Sequence, residues 1–204
     1  MILVGNQRGN AKDMADHLLK AENEEVIVYE ISGFMGDDLH SAFQESYAAS
    51  LGTDAKQHLY SLSFNPPKYA DVSDEKFLEA INRAEERLGL SGQPRAIVFH
   101  YKRDREDNLR KHAHCVWSRI TEDMKAVHMP FDRRRLFEFS RELFLENGWE
   151  LPRGYENNLE SDPLNYKHAE AQQAKRAHKY APDIKRLFQS AWAQSDTRET
   201  FANA

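Results

Sequence analysis

The chain has 204 residues, 40% of them hydrophobic, with 11 Phe, 8 Tyr and 3 Trp, which is enough for a self-sufficient core and excludes disorder over most of its length. The net charge of -5 argues against a generic polyanion binder, and the single cysteine, Cys115, leaves neither an internal disulfide nor a cysteine-based zinc site. No apolar run approaches the roughly 18 residues of a membrane span, and residues 1–6 turn polar too soon for a signal peptide, so a cytoplasmic protein in a reducing compartment is expected.

Short apolar runs alternate with stretches of helical period. Residues 2–4 read as a short strand. Asn10 caps a helix over about 11–21, with Met14 and Leu18 one turn apart. Residues 26–31 form a β-rich run stopped by Ser32 and Gly33. A helix over 37–51 places Leu39, Phe43 and Tyr47 on one face, with Gly52 behind it. Residues 59–64 alternate like a strand that Pro66 and Pro67 end. Ser73 caps a helix to about Leu88, with Asp74 and Glu75 suited to its positive end and Phe77, Ile81, Ala84 and Leu88 facing inward. Strands at 96–101 and 112–120 flank a charged hairpin loop over 102–111. A helix over 131–146 turns Leu136, Phe139, Leu143 and Phe144 inward, and Asn147 and Gly148 stop it. The segment 152–163 is the one evident linker. A polar helix over about 166–179 follows, and Pro182 opens another carrying Ile184, Leu187, Phe188 and Trp192. The strands are too short and too alternating for a parallel sheet, so the fold class is α+β. We divide the chain into a core over 1–150 and a helical extension over 151–204. The chain stops inside a helix-like pattern, as a piece of a longer protein would.

Charge is unevenly spread. Residues 1–94 hold 8 Lys/Arg against 16 Asp/Glu, residues 95–135 hold 11 against 6, and residues 136–204 hold 9 against 11. The basic middle contains the sharpest feature of the sequence, His112-Ala113-His114. Nine histidines in 204 residues give roughly 0.4 such pairs by chance, so the pair needs its context. On a strand, His112 and His114 project from one face. If the hairpin pairs Tyr101 with Lys111, His100 lies directly opposite His112, at a Cβ separation of about 5 Å. Three imidazoles then converge. Three neutral histidines on one side of a divalent cation leave positions for water or substrate. Three imidazoles gathered without a partner would otherwise cost desolvation.

The segment from Phe99-His100 to Lys111-His112-Ala113-His114-Cys115-Val116-Trp117-Ser118-Arg119-Ile120 resembles the metal motif of the HUH relaxases, the mobilisation nucleases of plasmids and conjugative elements. Elsewhere in the chain, and in the family's order, Arg8-Gly9-Asn10-Ala11-Lys12 with His17-Leu18-Leu19 and Glu22-Asn23-Glu24 resembles its opening motif. Leu59-Tyr60-Ser61-Leu62-Ser63 resembles its second, and Phe144-Leu145-Glu146-Asn147-Gly148-Trp149 and the ending Ser195-Asp196 to Phe201 resemble its tail. The resemblance implies a central antiparallel sheet with the His-x-His strand in the middle and helices behind it. It implies strand-specific nicking of DNA at a transfer origin, a covalent bond to the 5′ phosphate, and Mg²⁺ or Mn²⁺ at His100, His112 and His114. The partners it implies are single-stranded origin DNA and accessory mobilisation proteins.

Most relaxases attack through a tyrosine near the first helix, but no tyrosine precedes Tyr29 here, and His17 stands in that place. A neutral imidazole nitrogen is a competent nucleophile near pH 7. His17 is therefore the expected nucleophile and Tyr29, on a strand, the alternative. Without the family context His17 reads as a surface histidine of an amphipathic helix. Ser63, or else Ser61, is expected to hydrogen-bond a phosphate. Arg103, Arg105, Arg110, Lys111 and Arg119 are expected along the DNA backbone, and Arg133-Arg134-Arg135 open a helix where a phosphate or plain solvent would serve. Asp104, Glu106 and Asp107 are the alternative ligands. The competing readings are another HUH nuclease, a replication initiator or transposase, and a non-catalytic module for single-stranded nucleic acid.

Overall fold

The computed structural model describes residues 1–20, 24–103, 107–156, 166, 168–195 and 197–202. The chain forms two compact units, Met1–Leu151 and Pro152–Ala204. The first runs β1 (Ile2–Arg8), α1 (Ala11–Leu18), β2 (Glu25–Ser32), α2 (Leu39–Ser50), β3 (Leu59–Asn65), α3 (Asp74–Leu88), β4 (Arg95–Arg103), β5 (Leu109–Ser118) and α4 (Asp132–Glu146). The second holds α5 (Arg153–Glu156), α6 (His168–Arg176), α7 (Ala181–Ala193) and α8 (Arg198–Ala202).

The five strands lie in the order β1-β3-β5-β4-β2, every neighbour antiparallel, so the His-x-His strand β5 is central. Period-two alternation sends its side chains to two cores. On one face Phe64, Phe99, Cys115 and Trp117 pack under α3 and α4. On the other, Ala96, Val98 and Val116 pack under Ala11, Met14, Ala15 and Leu18 of α1 and Leu39, Ala42 and Phe43 of α2. Helices thus cover both faces, where the resemblance implied helices behind the sheet. Fully buried Phe43, Phe64, Phe77 and Phe139 each contribute roughly 2–3 kcal/mol of burial.

Local chemistry sets the helix bounds. Asn10 accepts the amide of Asp13 at 3.1 Å to start α1, and Ser73 caps α3 through Lys76 N. Gly89 ends α3 at φ +72°, where L side chains are strained. Gly5 lets the sheet approach its cover closely, because a Cβ there would lie 2.6 Å from Leu136 Cδ1 of α4 and run into the Tyr60 hydroxyl.

Some bounds differ from expectation. β1 continues through the polar Asn6 and Gln7 to Arg8 because β3 pairs with every residue of it. β4 and β5 extend through charged residues, with Lys102 opposite Arg110 and Arg103 opposite Leu109, so the hairpin loop is shorter than 102–111. In the second unit α6 is shorter than the expected 166–179, and the expected linker begins with the turn of α5. Pro182 does open α7. Rings of Phe188 and Trp192 lie 5.9 and 5.2 Å from Phe201 of α8. No described helix is long and apolar enough to cross a membrane.

Candidate functional site

The β4–β5 register is the one the hairpin reasoning required: Tyr101 faces Lys111 and His100 faces His112, while His114 lies between Val98 of β4 and Ser63 of β3. The three rings stand 4.6–5.2 Å apart by centroid, and one donor nitrogen from each falls within 4.8 Å of the others. His100 is buried and the other two are half-buried.

His100 Nε2 lies 2.7 Å from the carbonyl oxygen of Leu18. A carbonyl only accepts, so Nε2 carries the proton and Nδ1 keeps its lone pair for a ligand. The same bond satisfies one of the carbonyls that the last turn of α1 leaves unpaired, and an imidazole held this way is oriented as metal-bound histidines are. Burial pushes the His114 imidazole down to about 3 and His112 to about 4, with the neighbouring imidazoles adding to the effect. Burial lowers His100 as well, against the pull of the Leu18 bond. All three are neutral at pH 7, which is the ligating form. The donor set fits a divalent cation with one side open, and His100, His112 and His114 are the residues that would hold it.

The last turn of α1 carries His17 to this cluster. Ala11, Met14, Ala15 and Leu18 form the buried stripe of that helix, and His17 sits at its edge. The His17 ring stands 6.3 Å from that of His114, nearly perpendicular to it. A cavity of about 570 Å³, lined by Gln7, Arg8, Asn10, His17 and Lys20 among others, adjoins His17. Ser63 is the cross-strand neighbour of His114 and accepts a bond from Asn65 Nδ2 at 3.0 Å. Ser61 is buried one step further along, opposite Val116.

Other expected residues are placed elsewhere. Tyr29 sits at a bulge in β2, its ring 5.2 Å from Phe99. Phe99 adjoins His100 in sequence and so belongs to the opposite face, under α3, which puts Tyr29 on the wrong side of the sheet for the histidines. Lys111, alternating with His112, also faces α3. Its ammonium pairs with Asp74 and lies 4.3 Å over the Phe99 ring. Arg119 is 8% exposed, and its guanidinium donates to Gln7 Oε1, to the Gln57 carbonyl and to the Val127 carbonyl at 2.6–2.8 Å. Lys111 and Arg119 thus have one thing in common: both cations are engaged by partners within the fold. Arg103 is exposed but holds Glu24 at 2.8 Å and Asp107 at 3.3 Å. Arg110, two residues before His112, shares the face of the histidines. Arg105, Asp104 and Glu106 lie outside the described residues. Arg134 pairs with Glu138 at 2.9 Å and Arg135 with the Arg87 carbonyl at 3.2 Å, so the opening of α4 is committed to local contacts at two of its three arginines.

Fold and site together define an α+β domain with a three-histidine centre on its adjacent strands β4 and β5 and a fourth histidine beside it. Residues 12–149 match the relaxase family described as MobA/VirD2-like, nuclease domain, and the chain belongs to that family of DNA-relaxing nucleases. Family membership sets aside the replication-initiator, transposase and non-catalytic readings. Among solved structures, the one titled conjugative relaxase TrwC in complex with oriT DNA, metal-bound structure, is similar at 13% identity and a TM-score of 0.41, over 98% of this chain and 88% of that one. No curated protein is similar enough to match.

Proposed function

We propose that the protein nicks one DNA strand at a transfer origin and becomes joined to the 5′ phosphate through His17. The observation that carries this reading is the 6.3 Å approach of the His17 ring to His114 of the three-imidazole cluster. His17 attacks the scissile phosphorus in line. A nitrogen–phosphorus bond forms, the bond from phosphorus to the 3′ oxygen breaks, and that oxygen leaves with a proton as the free 3′ hydroxyl. Ser63, beside His114, donates to a phosphate oxygen. Arg110, on the face of the histidines, neutralises the flanking backbone. His100, His112 and His114 would hold a divalent ion, Mg²⁺ or Mn²⁺, which would polarise the phosphate when bound. Tyr29 has no part in the reaction, since its ring packs on Phe99. The proposed reaction, on origin DNA with accessory mobilisation proteins, is one for the cytoplasm.

The test is a denaturing gel of the protein incubated with single-stranded origin oligonucleotides and Mn²⁺. Wild type and Tyr29→Phe are expected to give the retarded covalent band and the released 3′ fragment, and His17→Ala neither. A band that survives His17→Ala and disappears in Tyr29→Phe refutes the assignment.

A further inference from the structure

One step along the same sheet face from the histidines, two cations are paired with each other. The register that sets His100 opposite His112 sets Lys102 opposite Arg110, and side-chain alternation points both toward the face of the three imidazoles. Like charges directly opposite on neighbouring strands repel. The surrounding cations are matched: Arg103 by Glu24 and Asp107, and Lys111 by Asp74. Neither Lys102 nor Arg110 forms an ion pair with any described residue, and Lys102 is exposed. Among the described residues this pair of cations therefore has no counter-charge, beside a neutral metal-type centre and within a chain whose net charge is negative.

We propose that Lys102 and Arg110 together clamp one phosphodiester of the bound strand, the one next to the scissile phosphate on the hairpin side of the site. Two residues of strand separate the clamp from the His100–His112 pair, about 6.7 Å, comparable to the step between neighbouring phosphates of an extended single strand. A phosphate between the two cations also removes their mutual repulsion, so the site is completed by its ligand. The clamp rests on the reading of the domain as a DNA-nicking enzyme and adds to it a binding residue, Lys102, and a direction for the strand across the sheet.

The experiment uses the full chain and a fluorescent single-stranded oligonucleotide, with anisotropy titrations between about 50 and 300 mM salt in EDTA. The variants are Lys102→Gln, Arg110→Gln, the double change and the conservative Lys102→Arg. Neutralising one phosphate of a single strand contributes about 0.7 to the log–log salt slope, so the double variant is expected to lose about 0.7, each change to Gln a part of that, and Lys102→Arg nothing. Mn²⁺ affinity is expected to be undiminished and the low-salt thermal midpoint unchanged or raised, because repulsion has been removed. A double variant that keeps the wild-type slope overturns the proposal. So does one that loses DNA affinity together with thermal stability, since the pair would then be holding the hairpin. If wild type forms the covalent adduct but the slopes agree, the clamp alone fails; if wild type binds no single-stranded DNA, the relaxase reading fails with it.

Discussion

The three-histidine cluster makes folding sensitive to mild acid in a way that can be calculated. In the unfolded chain a histidine titrates at the ordinary value of 6.5, whereas folded His112 holds off protonation to about 4 and His114 to about 3. These are depressed histidines, so the unfolded state binds more protons and stability falls as pH falls below 6.5. At pH 5 the folded pair is still neutral and the unfolded pair almost fully charged. Each then costs about 2 kcal/mol relative to pH 7, roughly 4 kcal/mol together, a large part of the ~5–15 kcal/mol of a typical domain. Urea unfolding in EDTA at pH 7 and pH 5 measures this directly. Wild type should lose about 4 kcal/mol more over that interval than the double variant His112→Gln/His114→Gln, whatever the two proteins' absolute stabilities. His58, also buried and also lowered by burial, is present in both proteins and cancels. Equal losses in the two proteins would show that the imidazoles are not kept neutral by their surroundings, and the pre-formed ligand set would fall with that result.

Because burial lowers all three imidazoles, His112 to about 4 and His114 to about 3, Mn²⁺ affinity measured by calorimetry should fall less from pH 7 to about 5 than that of a site of exposed histidines, which protonate through that range. All-imidazole donors also favour Mn²⁺ over the harder Mg²⁺, so Mn²⁺ should protect against thermal unfolding at lower concentration than Mg²⁺, and His114→Ala should abolish the protection by either. Arg119→Gln should cost about 2–4 kcal/mol in urea unfolding, because three buried acceptors lose a charged donor, while leaving the salt slope of DNA binding unchanged. Lys111→Ala should likewise leave the salt slope unchanged, its ammonium being engaged with Asp74 and Phe99.

The centre of the molecule was legible in the sequence because it depends on local rules. Alternation on two adjacent strands and one assumed cross-strand pair were enough to place His100, His112 and His114 together, and the Ser73 cap and Gly89 marked α3. Strand ends were legible only in part. Asn6 to Arg8 and the charged tips of β4 and β5 are held by pairing with segments far away in sequence, and no residue property of their own announces it. The misplacement of Lys111 had an available signal: a residue beside His112 must face the other way. That parity also singles out Lys102, two residues from His100 and on its face. Arg119 offered no such signal, since Gln57 and Val127, whose carbonyls it binds, are distant in the chain.

Locating the covalent bond tests the central claim most directly. Protein trapped on single-stranded origin DNA with Mn²⁺, digested with nuclease and protease under alkaline conditions and mapped by tandem mass spectrometry, should carry the nucleotide on the peptide containing His17, through an acid-labile phosphoramidate. A nucleotide on a Tyr29 peptide, through a linkage that withstands acid, would contradict the account.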